Sequence, residues 1–279
     1  VHFMERHKEF PFTRQDFDRV RRLIRGCAGI ALAEGKQEMV YSRLARRLRV
    51  TGAASFDVYL NTLEHASDSN EWQAFTNALT TNLTSFFRES HHFPVLAAHA
   101  RAHPGLSVWC SASSTGEEPY SIAMTLCDAY GSLTPPVKII ATDIDTEVLS
   151  TAAVGVYPAD RVAALGKDQL RRFFLRGKGT QEGQVRVRDE LRALIEFRPL
   201  NLLAADWALS APFDAIFCRN VMIYFDKQTQ RQILSRFVPL MKPDALLFAG
   251  HSENFLYVCD ALRLRGKTVY ELLKLPGSR

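Results

Sequence analysis

The sequence predicts an α/β protein: a mostly parallel sheet covered by helices, preceded by a small all-α domain. Three observations carry this reading. Amphipathic helical patterns fill the first 80 residues, strand and helix patterns alternate from Leu106 onward, and a loop of small residues joins the first such strand to its helix. At 279 residues and 47% hydrophobic content, the chain can build one large domain or two smaller ones.

Thr13 followed by Asp16, with Phe17, Val20, Leu23 and Ile24 in the apolar series, predicts a capped helix ending near Gly26 to Gly29. A second helix is expected over about 34–50, stopped by Gly52, with Val40, Leu44 and Leu48 as its buried stripe. Lys36, Arg43, Arg46 and Arg47 fall on its other side. Ser55 is expected to cap a third helix carrying Phe56, Tyr59, Leu60 and Leu63, and Ser69 a fourth carrying Trp72, Phe75 and Leu79. Charge concentrates here: between Arg14 and Arg49 there are ten Lys or Arg against four acids. The basic face of the second helix is either a docking surface for an acidic partner or a solvated face.

The segment Thr80-Thr81-Asn82-Leu83-Thr84-Ser85-Phe86-Phe87-Arg88 is polar and aromatic with weak periodicity, an ordered connector leading to a helix over 91–103. The first strand, Leu106 to Cys110, runs into Ser111-Ala112-Ser113-Ser114-Thr115-Gly116-Glu117-Glu118-Pro119-Tyr120 and then a helical pattern, the opening of a Rossmann-type βα unit. Two carboxylates and a single glycine suit hydroxyls, amines or a cation rather than a pyrophosphate. A nucleotide-like ligand without phosphates follows, and S-adenosylmethionine fits. The second strand, Val137 to Thr142, ends at Asp143, where ribose hydroxyls are usually held in such folds, while Asp145 suits a helix cap. Glu117 suits the first turn of its helix, where negative charge is favoured.

The segment of about 155–198 breaks the βα rhythm and is expected to be a β-hairpin insertion, from Arg172 to Gly179 and Gln184 to Arg188, with Arg186 and Arg188 on one face. Its edge could add a peptide strand from a partner, with arginines near that peptide's carboxylates. Strands are then expected at Leu194 to Phe197, Asn201 to Leu203, Phe213 to Cys218 and Ala245 to Gly250, a helix over 226–240, and a closing antiparallel pair at Leu262 to Leu264 and Thr268 to Leu273.

Other chemistries are weaker. Five dispersed cysteines with no Cys-x-x-Cys pair read as buried reduced thiols. His92, His99 and His103 could share a helix face, but no cysteine or acid completes a zinc set, so no metal is expected and these read as surface or capping histidines. His251-Ser252-Glu253 resembles part of a hydrolase triad, yet the Gly-x-Ser-x-Gly elbow is absent. No signal-peptide or membrane-span pattern is found, so a cytoplasmic protein is expected. A monomer is expected for want of a long unsatisfied apolar face.

Four stretches in register make the sequence resemble the CheR family of chemotaxis receptor methyltransferases: Ala78 to Arg88, Ser113 to Ser121, Ala141 to Asp145, and Phe217 to Phe225. They span almost the whole chain. The resemblance implies a Rossmann-like S-adenosylmethionine-dependent methyltransferase domain over 105–279, an N-terminal helical domain over 1–80 and a connector with its helix over 81–104. It implies that Asn82, Thr84, Arg88, Glu118, Asp143, Asn201, Leu202, Arg219 and Asn220 enclose the cofactor, with Arg88 and Tyr224 next to the transferred methyl. It also implies that Arg43, Arg46, Arg47 and Arg49 face the cytoplasmic region of a chemoreceptor. The insertion, with Arg176, Arg186 and Arg188, would dock a short tethering peptide at the receptor C-terminus.

The implied reaction forms glutamate methyl esters and S-adenosylhomocysteine. A glutamate carboxylate, of unperturbed pKa about 4.3, is already ionised at neutral pH, so in-line approach and removal of water matter more than a general base. A nucleic-acid methyltransferase is the competing enzyme class, but Val221-Met222-Ile223 stands where an Asn-Pro-Pro-Tyr-like base pocket would need prolines. A non-catalytic S-adenosylmethionine-binding module is the other alternative, and the presence of Arg88 and Tyr224 argues against it.

Overall fold

A computed structural model describes residues 8–65, 69–209 and 212–273. The chain divides into two compact units, Val1–Thr81 and Asn82–Arg279.

The first unit is helical. Helix α1 (Arg14–Ala28) starts in a reciprocal capping box, the Asp16 amide donating to Thr13 Oγ1 at 3.1 Å and the Thr13 amide to Asp16 Oδ2 at 2.9 Å. It buries Phe17, Val20, Ile24 and Ala28, and ends at Gly29 with φ 71°, the left-handed cap that glycine favours. One 3-10 turn, Glu34–Lys36, precedes α2 (Gln37–Thr51), which buries Val40, Leu44, Ala45 and Leu48. The Val58 amide donates to Ser55 Oγ at 3.2 Å ahead of the first turns of α3 (Phe56–His65). In α4 (Ser69–Leu79), Trp72 meets Phe75 edge-on at 5.9 Å; the Ser69 side chain, expected as its cap, lies outside the described residues.

The open arginine face expected on α2 is narrower than the helical pattern suggests. Arg47 pairs with Glu71 at 2.6 Å, and Tyr59 Oη donates to the same carboxylate at 2.8 Å, so one cluster joins α2, α3 and α4. Arg43 donates to the carbonyls of Thr80 and Ala78, and Arg49 pairs with Glu9 at 2.6 Å. Arg46 is exposed and makes no ion pair among the described residues. A helical wheel cannot see such pairing, because each partner comes from a distant element or the end of one.

The second unit follows in chain order: α5 (His92–Ala102), β1 (Ser107–Cys110), α6 (Glu117–Tyr130), β2 (Lys138–Asp143) and α7 (Thr146–Val154). The insertion then brings β3 (Val156–Pro158), α8 (Lys167–Phe173), β4 (Phe174–Arg176), β5 (Gln184–Val187) and α9 (Asp189–Arg192). The sheet resumes with β6 (Ile195–Pro199) and β7 (Phe213–Cys218), then α10 (Lys227–Phe237), β8 (Met241–Ala249), β9 (Leu262–Gly266) and β10 (Val269–Leu272). The main sheet has the order β6-β2-β1-β7-β8-β10-β9, with β6 to β8 parallel and β10 antiparallel to both its neighbours. Strand order reverses beside β1, the switch point where open α/β sheets hold ligands.

Alternation along the strands supplies two cores. Val108, Cys110, Ile139, Ala141 and Phe217 face one side with α5 and α6; Trp109, Ile140, Ile216 and Cys218 face the other with Phe237 of α10. Cys110 is level with Ala141 on one side and Phe217 on the other, so β1, β2 and β7 deliver their following loops to one edge.

The expected hairpin of the insertion is present as β4 paired antiparallel with β5, and a third strand, β3, joins it through Tyr157 opposite Val185, in the order β3-β5-β4; Arg172-Phe173 close a helix ahead of it. Two sequence expectations are corrected. Asn201 to Leu203 is a turn, not a strand: Asn201 Oδ1 accepts the Leu203 amide at 2.9 Å, the local bond that lets asparagine compete with a ladder. Strand β8 begins at Met241 rather than Ala245, running through Pro243.

Candidate active site

The loop after β1 is built on backbone bonds. Ser111 donates its amide to the Phe217 carbonyl at 2.9 Å and Ser113 to the Thr142 carbonyl at 2.8 Å, fastening the loop to both neighbouring strands. Gly116 has φ 100°, and a Cβ there would lie 2.7 Å from Tyr157 Oη and 2.8 Å from the Ala152 Cβ; the single glycine stands where no side chain fits. Asp143 accepts the Ser114 amide at 2.8 Å through Oδ2 and the Asp145 amide at 3.0 Å through Oδ1. Each oxygen keeps a lone pair for a ligand hydroxyl. Burial pushes the Asp143 carboxyl up to about 6, against the amides that hold its ionised form. Asp145 caps α7 through the amides of Glu147 and Val148 and accepts Asn82 Nδ2 at 2.8 Å.

Glu117 and Glu118 separate. Glu117 is fully buried, paired with Arg161 and accepting Thr115 Oγ1 at 2.6 Å. Glu118 turns toward β7: its Oε2 lies 2.7 Å from Arg219 Nη1, and Cys110 Sγ donates to Oε1 at 3.3 Å. Burial raises the Glu118 carboxyl, with the Arg219 charge opposing it. Arg219 also donates to the Arg88 carbonyl and lies 3.5 Å from Glu89 Oε2.

Glu89, one residue past the quoted connector, escaped sequence reasoning. Its carboxylate accepts Asn220 Nδ2 at 3.2 Å and His251 Nδ1 at 3.0 Å. Burial works to raise it, but His251, Arg219 and Asn220 together hold it down at about 2. Phe87 and Glu89 both have left-handed backbones, φ 52° and 54°, which place Arg88 in a sharp turn. Arg88 is half-buried, with Nη1 donating to the Leu83 carbonyl at 2.7 Å.

Hydrogen bonds and ion pairs thus tie Asn82 to Asp145 beside Asp143, and join Arg88, Glu118 and Asn220 around Arg219 and Glu89. Thr84 and Tyr224 are half-buried with no side-chain hydrogen bond among the described residues, Tyr224 lying in a 3-10 turn, Met222–Tyr224. Asn201 and Leu202 form the turn after β6, with Leu202 buried in the core beside Trp207. On the insertion, Arg176 is exposed, but Arg186 pairs with Asp189 at 2.7 Å and Arg188 donates to the Arg171 carbonyl at 3.2 Å. Arg186 and Arg188, expected on one face of the hairpin, each therefore engage a partner within the insertion.

The histidines are also corrected. His92 and His99 are buried, not superficial, and His92 is held near pKa 4 by burial and the Arg219 charge. His103 caps α5, its Nε2 lying 2.5 Å from Asp244. Among the described residues, Glu89, His91 and His92 bring ligand-type atoms within 4.8 Å of one another. Arg219 already balances that carboxylate, and both imidazole Nε2 atoms lie 3.2 Å from the Lys267 carbonyl.

Ser113 Oγ, Arg219 Nε and Glu89 Oε2 are buried with no hydrogen-bond partner among the described residues. With the acceptors of Asp143, they fit a ligand bearing hydroxyls, an amine and a carboxylate, the polar groups of S-adenosylmethionine. A doubly wound sheet with an antiparallel β10, carrying this acidic rather than phosphate-binding edge at its switch point, defines a Rossmann-like S-adenosylmethionine-dependent methyltransferase domain. The chain belongs to the CheR methyltransferase family: residues 82–270 match its SAM binding domain and residues 15–80 its all-alpha domain. It is 59% identical to a chemotaxis protein methyltransferase of Klebsiella aerogenes over 96% of this chain and 92% of the relative. The Escherichia coli chemotaxis protein methyltransferase is 58% identical over 92% of this chain and 91% of the relative. Chemotaxis protein methyltransferase 2 of Pseudomonas aeruginosa is 54% identical over 95% of each.

Proposed function

We propose that this chain transfers the methyl group of S-adenosylmethionine to glutamate carboxylates on the cytoplasmic region of chemoreceptors, leaving glutamate methyl esters and S-adenosylhomocysteine. One observation carries the reading: Arg219, at the carboxyl end of β7, bonds Glu118 from the loop after β1 and the Arg88 carbonyl from the connector, so three of the four family stretches meet at one point. S-adenosylmethionine supplies a methyl on a cationic sulfonium. In this reading Asp143 holds the ribose hydroxyls, and Asn82, Thr84, Glu118, Asn201, Leu202, Arg219 and Asn220 complete its enclosure.

The residues then do what a weak, ionised nucleophile requires. Arg88 presents N–H donors to the incoming carboxylate and orients it, its help mainly positional because a contact stronger in the ground state would slow transfer. Tyr224 shapes the far wall or hydrogen-bonds the transfer site. Exposed Arg46 offers charge to the acidic receptor, and the edge of β4 at Arg176 offers a strand-pairing site for a tethering peptide. Among the described residues no helix is long and apolar enough to cross a membrane.

Incubation with methyl-labelled S-adenosylmethionine and chemoreceptor-containing membranes, followed by alkali, tests the reading. Alkali-labile label released as volatile methanol is expected; alkali-stable label, or label on nucleic acid, would overturn it.

A further inference from the structure

Glu253, in the loop after β8, is 4% exposed and belongs to none of the four family stretches. Its carboxylate receives four backbone amides: Val221 at 3.0 Å and Met222 at 2.7 Å on Oε1, Asn220 at 2.9 Å and Gly250 at 2.5 Å on Oε2. Three of these donors are consecutive and follow from the left-handed Asn220, φ 57°, which turns successive N–H groups to one side. Such a concavity binds anions, and here the protein fills it with its own carboxylate. On the other side of the same segment, buried Gln230 of α10 donates Nε2 to the Met222 carbonyl at 2.8 Å and the Phe225 carbonyl at 3.1 Å. Tyr224 sits between these anchors and has no side-chain hydrogen bond of its own among the described residues. Its backbone amide donates to the Val221 carbonyl at 3.1 Å within the 3-10 turn, and the clamp on residues 220–225 holds the turn that carries it.

We infer that Glu253 and Gln230 are positioning residues for methyl transfer, gripping the amides and carbonyls of residues 220–225 from opposite sides so that Tyr224 is held at the transferred methyl. The inference rests on the proposed reaction and on Tyr224 acting there. Hydrogen bonds to a charged acceptor are stronger than those to a neutral one, so losing the anion loosens the segment without removing any group from the site. Space enforces the same arrangement: a Cβ on Gly250 would lie 2.4 Å from Asn220 Nδ2 and 2.9 Å from Glu253 Oε2.

The test uses the full chain with Glu253→Gln, Gln230→Met and a control, Ile233→Val, which thins the buried face of α10 without touching the clamp. Melting temperature, calorimetric S-adenosylhomocysteine affinity, and kcat and KM with receptor membranes are measured for each. Both clamp variants are expected to lose at least tenfold in kcat with receptor KM within threefold, while Ile233→Val keeps kcat. In a Tyr224→Phe background, Glu253→Gln is expected to cost less than threefold further, because the clamp acts through that side chain. If Glu253→Gln does not fold, Gln230→Met carries the test from the carbonyl side. Unchanged kcat in the folded clamp variants, a loss matched by Ile233→Val, or full additivity with Tyr224→Phe overturns the inference. No turnover by the unsubstituted chain would instead sink the functional reading.

Discussion

Arg219 Nη1 lies 2.7 Å from Glu118 Oε2, with the two side chains only 1% and 11% exposed, so two residues read from sequence as ligands of the same small molecule are bonded to each other. The pair is asymmetric. Arg219 also has Glu89 and the Arg88 carbonyl, whereas Glu118 has, among the described residues, only the Cys110 thiol besides. Arg219→Ala therefore leaves Glu118 without a cation and takes one charge partner from Glu89, which keeps Asn220 and His251, and is expected to cost about 3 kcal/mol, while Glu118→Gln costs about 1–2 kcal/mol. Urea titration of both variants checks the order; equal losses would mean that Glu89 plays no part.

Arg88 is the next test. One guanidinium nitrogen donates to the Leu83 carbonyl, leaving donors on the others for a carboxylate. Arg88→Ala is expected to lower kcat about 10- to 100-fold at saturating receptor, the scale of a lost orientation. Full kcat would remove Arg88 from the transfer step.

How much of this was legible in the sequence depends on which elements self-announce. Thr13 with Asp16, the strand into Ser111 and the acid at Asp143 are local patterns, and each stands where its pattern places it. Glu89 and Glu253 were not legible as site residues, because their partners lie 131 and 33 positions away and a lone acid in a loop has no periodicity. The same limit hid the Glu71 partner of Arg47. Strand β3 was missed because three residues cannot show alternation.

The arginines of α2 separate by the same logic. Arg46→Glu is expected to raise receptor KM several-fold at low salt and progressively less as salt increases, with S-adenosylhomocysteine affinity unchanged. Arg47→Ala, which strands Glu71 among half-buried neighbours, is expected to cost about 1–2 kcal/mol of stability and to move KM little. Salt-independent KM for Arg46→Glu would exclude that residue from the docking surface.

The pH dependence of cofactor binding follows from Asp143. Its carboxyl, with an ordinary value of 3.8, is pushed up to about 6 by burial, with the Ser114 and Asp145 amides opposing. A ribose hydroxyl must donate to the ionised form, so bound ligand draws that group back toward ionisation. Affinity for S-adenosylhomocysteine is therefore full above about pH 7 and falls toward tenfold per unit below about 6. Linkage runs the other way for the unliganded fold: between 3.8 and about 6 the native state binds more protons than the unfolded chain, so this group's contribution to stability declines as pH rises. Glu89, held at about 2, stays ionised between pH 7 and 5 and adds no slope to ligand binding there, whereas Glu118 is raised as well, so the assignment needs a variant. Asp143→Asn should bind more weakly at pH 8 and lose most of the slope between pH 7 and 5. Calorimetry across that range decides, and an Asp143→Asn profile as steep as that of the unsubstituted chain would assign the titration to Glu118.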